Sequence, residues 1–194
     1  MLRIALPFTA LVLTGFLTAC SSEEAAVPAT ATDASSAAAA PALGTDDDPI
    51  LAETIGCDTV AAAVAPYIEG LVPLDTNEAD QYGSYCNWET DTDSGTIAEI
   101  RSVEVIIEPG NGEVPTAQTL SAGGLTVIPD QELDSAGGIA YTLGATTAVA
   151  AVAATTVELP TAKVSITGGQ WADAPDLDGP AAVGVAKQLL NIPG

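Results

Sequence analysis

Along this chain the apolar positions change their period several times, and each change marks a structural boundary. From Val60 to Leu71 the apolar positions Val60, Val64, Tyr67, Ile68 and Leu71 recur at helical spacing. The spacing predicts a helix capped by Asp58 or Thr59, kinked or restarted at Pro66 and stopped at Gly70. From Tyr82 the period falls to two. Cys86 and Trp88 then share one strand face, while Tyr85 and Asn87 point the other way. Asp91-Thr92-Asp93-Ser94-Gly95 is a turn by composition and leads into a second strand, Thr96 to Glu108. Its Val103, Val105 and Ile107 form one face, with Ser102, Glu104 and Glu108 on the other, so the two strands read as a hairpin.

Pro115 to Ala122 reads as a second helix, with proline in its first turn and Gly123-Gly124 just past its end. Ile139 to Val157 is apolar and nearly uncharged, but small alanines and Thr142, Thr146, Thr147, Thr155 and Thr156 suit a buried pair of strands better than a membrane span. The break between them is expected near Gly144. Val164 and Ile166 alternate with Lys163, Ser165 and Thr167 in a further strand. Pro180 opens a closing helix with Ala182, Val183, Ala186, Leu189 and Leu190 inward, and Pro193 ends it. This order predicts an α+β domain over residues 49–194, a single antiparallel sheet with helices packed on it. About 145 residues are enough for one ordinary core.

The N-terminal stretch follows other rules. After Arg3, an apolar run from Ile4 ends in Leu17-Thr18-Ala19-Cys20, which resembles a bacterial lipobox at all four positions. A membrane span needs about 20 apolar residues, and this run is shorter and holds Pro7, Thr9, Thr14 and Gly15. An ordinary secretory signal would need no cysteine at the cut. Residues 1–19 are therefore expected to be a lipoprotein signal peptide, cleaved so that Cys20 carries the lipid and anchors the chain on the extracytoplasmic face of the cell membrane. Ser21 to Asp48 holds Ala, Ser, Thr, Pro, Glu and Asp with almost no large apolar side chain, the composition of a disordered tether. As a flexible coil it would span roughly 30 Å.

Charge narrows the range of partners. The chain has 26 acidic residues, four basic ones and no histidine, for a net charge of −22. Beyond Cys20 the basic residues are Arg101, Lys163 and Lys187. Nucleic acid is excluded as a partner, because phosphate binding depends on clustered Lys and Arg. Anionic headgroups are excluded on the same ground, which leaves the lipid on Cys20 as the contact with the membrane. With Cys20 lipidated, Cys57 and Cys86 remain in an oxidising compartment and are expected to form a disulfide. Two thiolates without histidine lack the other ligands of a zinc site, and neither metal nor cofactor is expected.

Catalytic chemistry is hard to assemble from these residues. Without histidine there is no Ser-His-Asp or Cys-His arrangement, a Ser-Lys pair has only Lys163 or Lys187 to draw on, and no phosphate-cradling glycine loop is present. Asp91, Asp93 and Glu99 superficially resemble a calcium loop, but glycine is not at its sixth position, and a hairpin turn is the better reading. Trp171, with Tyr82 and Tyr85, is a candidate surface for stacking on a ligand; the competing reading has Trp171 plugging the edge of the core. Arg101 reads as a local salt-bridge partner.

The lipobox, the tether, an early cysteine beside a small helix and Tyr85-Cys86-Asn87-Trp88 opening a hairpin together resemble the actinobacterial envelope lipoproteins grouped as domain of unknown function 3558. Cys57, Cys86 and Trp88 carry the likeness, whereas the family's helix-opening Asp-Pro-Cys is split here between Asp48-Pro49 and Cys57. The layout is also similar to the extracellular sensor domain of certain mycobacterial membrane kinases. The resemblance implies an envelope setting and brings no established activity. Two expectations follow: a non-catalytic binding or accessory module, or a structural protein-interaction lipoprotein without a small-molecule pocket.

Overall fold

A computed structural model describes residues 49–91, 100–146, 151–171 and 174–193. The lipobox, Cys20, the tether, most of the Asp91 to Gly95 turn and the residues Asp93 and Glu99 lie outside them. The described chain forms one open antiparallel sheet of eight strands with four helices, an α+β fold. In chain order the strands are β1 (Val72–Pro73), β2 (Glu78–Asp80), β3 (Gly83–Glu89), β4 (Ser102–Pro109), β5 (Thr126–Ile128), β6 (Ile139–Thr146), β7 (Ala151–Glu158) and β8 (Ala162–Gln170). The helices are α1 (Cys57–Ala63), α2 (Ala117–Ala122), α3 (Gln131–Ser135) and α4 (Gly179–Leu189).

Sheet order is β1-β3-β4-β8-β7-β6-β5, with β2 also paired to β3. After β4 the chain leaves for the far edge through α2, β5 and α3, then returns by β6, β7 and β8, and β8 pairs with β4. The expected alternation sets the inner face. Val103, Val105 and Ile107 of β4 are fully buried beside Val164 and Ile166 of β8, Val157 of β7 and Cys86 of β3. Val60 and Val64 from the α1 region and Ala182, Val183, Ala186 and Leu189 of α4 belong to the same core. Cys57 and Cys86 are bridged, which joins the first residue of α1 to the middle of β3. Gly168 is required where Leu177 crosses β8, since a Cβ there would lie 2.6 Å from a Leu177 methyl.

The outer face is half-buried and polar. Tyr85 donates its hydroxyl to Glu104 at 2.9 Å, and Lys163 pairs with Glu108 at 2.8 Å. Burial, reinforced by the Glu158 carboxylate that accepts its hydroxyl hydrogen at 3.0 Å, pushes Tyr141 up to about 12. At the outer edge of β3, between β1 and β2, the Asn77 carboxamide stands in for a peptide group. Its oxygen accepts from the Asn87 N–H at 2.8 Å and its nitrogen donates to the Asn87 carbonyl at 3.2 Å.

Several local expectations are corrected. Gly56, not Asp58 or Thr59, is the N-cap of α1, and it provides no side-chain bond. Pro66 restarts the chain as a 3-10 turn over Ala65–Tyr67. Pro115 precedes the cap of α2, where Thr116 accepts from the Thr119 N–H, instead of lying in the first turn. β6 does not break at Gly144: it runs on to Thr146, because Gly144 sits in register against Ala153 of β7. The second strand of the hairpin is described from Ser102.

Candidate functional site

The described residues enclose a cleft at the end of the sheet where the chain enters. The Leu51 N–H donates to the Gln81 carbonyl at 2.8 Å, and the Ser84 hydroxyl donates to the Ile55 carbonyl at 2.6 Å. These two bonds lay residues 51–55 across the start of β3 as one wall. The other wall is the last turn of α4, which closes in a paired 6→1 and 5→2 arrangement. Ile192 N–H reaches the Lys187 carbonyl at 2.9 Å and Asn191 N–H the Gln188 carbonyl at 3.3 Å, with Asn191 at a left-handed φ of 54°. Asparagine tolerates that conformation better than most residues. Asn191 is thereby set at the rim.

The cleft has a volume of about 470 Å³, within the usual range for small-molecule sites. Its floor is apolar: Ile107 from β4, Ala162 from β8, Ala63 from α1 and Leu189 from α4 are all buried. Its rim is polar, with Glu53, Thr54, Thr59, Thr161, Gln188 and Asn191 exposed. Among the described residues none of these six side chains has a hydrogen-bond or ion-pair partner. Glu53 is the one ionisable side chain of the described lining. Such a lining can hold a ligand through hydroxyls, amides and a single carboxylate.

A second depression, about 590 Å³, lies on the far side of Asn191 against Gln131, Glu132 and Ser135 of α3. Lys187 fastens the last turn of α4 to the start of α3. Its ammonium lies 3.0 Å from Asp130 and 3.2 Å from Glu132. The hydrogen bond to Asp130, aided by Glu132, raises Lys187 above its ordinary value despite the opposing effect of burial. Burial pushes Asp130 up, but the Leu133 amide and the Lys187 ammonium outweigh it and hold the carboxyl below its ordinary value.

The aromatic residues singled out from the sequence lie elsewhere and apart. Tyr82 is 54% exposed just before β3, and Trp171 follows the end of β8. Because β3 and β8 both run antiparallel to β4, these are opposite ends of the sheet, roughly 30 Å apart at the usual strand rise. Tyr85 is engaged with Glu104 on the outer face. Trp171 is half-buried and donates its indole N–H to the Ile100 carbonyl at 3.2 Å, beneath the Arg101 guanidinium at 5.8 Å from the ring centroid. Arg101 donates to the carbonyls of Tyr67 at 3.0 Å and Glu69 at 3.2 Å, so its described polar partners are carbonyls that tie the segment after α1 to β4. Of the cleft residues, Ile107 was singled out by strand alternation, and Leu189 and Leu190 by helical spacing as inward positions of the closing helix. The rim residues form no motif. The one available signal was an asparagine directly after a helix, the residue type that follows glycine in preference at a left-handed C-terminal cap.

The geometry defines an open-faced α+β domain with a lined cleft at the end of its sheet. No family model matches the sequence, and neither a curated protein nor a solved structure matches it. Among the described residues no three His, Cys, Asp or Glu side chains are grouped to hold a metal ion, and no helix is long and apolar enough to cross a membrane.

Proposed function

We propose that this chain is a lipid-anchored extracytoplasmic lipoprotein whose domain binds a small molecule in the cleft between residues 51–55 and the end of α4, without transforming it. The observation that carries the reading is the cleft itself, an apolar floor ringed by six polar side chains that have no hydrogen-bond or ion-pair partner among the described residues. Polar groups held open around a concave apolar surface are the usual lining of a ligand site. A single carboxylate in a chain without histidine supplies no nucleophile with an adjacent base. The Leu-Thr-Ala-Cys sequence at 17–20 and the Cys57–Cys86 disulfide support an exported setting. So does the resemblance of Cys57, Cys86 and Trp88 to the actinobacterial envelope lipoproteins. A protein-interaction role is the alternative, favoured by Leu143 and Val152, which are 56% and 41% exposed on neighbouring strands β6 and β7.

The anchor is tested by intact mass and peptide mapping of the protein taken from the membrane fraction of its host. The expected mass lacks residues 1–19 and carries acyl groups on Cys20. An unprocessed N-terminus, or a free Cys20 thiol, overturns the lipoprotein reading.

A further inference from the structure

We infer that the ligand of this cleft is a small organic cation, an ammonium or related group on an apolar body; the inference rests on the cleft being a binding site. Three independent features of the cleft point the same way. Glu53 is the one ionisable side chain in its described lining, and it is anionic. The opposite wall is the C-terminal end of α4, an 11-residue helix whose aligned peptide dipoles place negative potential at the rim. Lys187, the basic residue of that last turn, is held away by Asp130 and Glu132 and does not line the cleft.

The remaining chemistry fits the same ligand. Thr54, Thr59, Thr161, Gln188 and Asn191 offer hydroxyl and amide oxygens that accept hydrogen bonds from an ammonium group. The buried floor of Ile107, Ala63, Ala162 and Leu189 takes an apolar body. A carboxylate ligand would meet Glu53 and the helix end with no cation to offset them. The net charge of −22 adds a long-range attraction for cations over the whole surface, so the test must separate this site from the surface at large.

Three probes of matched length, n-hexylammonium, n-hexanol and n-hexanoate, are titrated into the isotopically labelled full chain at about 0.15 M salt and followed by amide chemical shifts. The expected result is shifts clustered at Thr54, Thr59, Gln188 and Asn191, with hexylammonium bound several-fold more tightly than hexanol and hexanoate weakest. Glu53→Gln should lower hexylammonium affinity about three- to fivefold and leave hexanol within twofold, the range of one partly exposed charge pair. Glu69→Gln, an exposed carboxylate remote from the cleft, should change neither. Equal binding of all three probes, a preference for hexanoate, or equal effects of the two substitutions overturns the cationic ligand while leaving a ligand cleft in place. Shifts from every probe that avoid the cleft, or no shifts at all, overturn both.

Discussion

Lys187 stands between the end of α4 and the start of α3, and its side chain is only 12% exposed. Its partner Asp130 is also the N-cap of α3, accepting from the Leu133 N–H at 3.0 Å, so one carboxylate starts one helix and fastens another. The two shifts set opposite limits on when this pair stabilises the fold. Asp130 is held below its ordinary 3.8, so its contribution is complete above that value and is lost as pH falls through the depressed one. Lys187 is held above its ordinary 10.5, so its contribution is complete below that value and is lost as pH rises through the raised one. Lys187→Met should therefore be less stable than the parent, with the gap in urea midpoint widest and flat between about pH 5 and 10 and narrowing on either side. A gap that does not change from pH 3 to 11 would sink this account. Sequence alone shows Lys187 near a helix end and no more, because its two partners lie more than fifty residues away.

α1 has seven residues and a glycine cap that offers no side-chain acceptor, so it is too short to persist alone. Burial of Val60 and Val64 and the bridge from Cys57 to Cys86 hold it against β3. Replacing both cysteines by alanine should cost about 3–4 kcal/mol on the loop-entropy estimate for a closed segment of this length, read from chemical denaturation, and should broaden the amide signals of Thr59 and Ala63 at the cleft. A loss under about 1 kcal/mol, with those signals unchanged, would show that packing alone seats the helix. β3, β4 and β8 were legible from period-two alternation, β6 and β7 from an apolar run interleaved with threonines, and α4 from its helical spacing and Pro180. β1, β2, β5 and α3 were not, because segments of two to five residues are too short to show a period; the strands among them exist through the partners they pair with. Gly144 misled for a related reason. Glycine is a frequent strand breaker, but pairing on to Thr146 outweighs that local preference.

At the scale of the whole molecule, the surplus of acidic over basic residues is a source of self-repulsion in the compact state. Raising salt from about 0.01 to 0.5 M, which shortens the screening length from about 30 Å to a few ångströms, should raise the thermal midpoint by several degrees. A midpoint that falls or stays fixed would mean that attractive pairs such as Lys163–Glu108 and Lys187–Asp130 outweigh the repulsion. This charge imbalance was plain in the sequence. The cleft was not, since its walls come from residues 51–55 and 188–191, brought together by β3, α1 and the closure of α4. The Asn77 carboxamide has a consequence at the same scale. Wherever copies of this chain are held side by side, their encounters are lateral, and a strand edge left open is a template on which neighbours zip together. Here β1, the Asn77 side chain and β2 occupy the border of β3 in turn. On that flank the sheet ends in strands of only two and three residues, too short to serve as such a template.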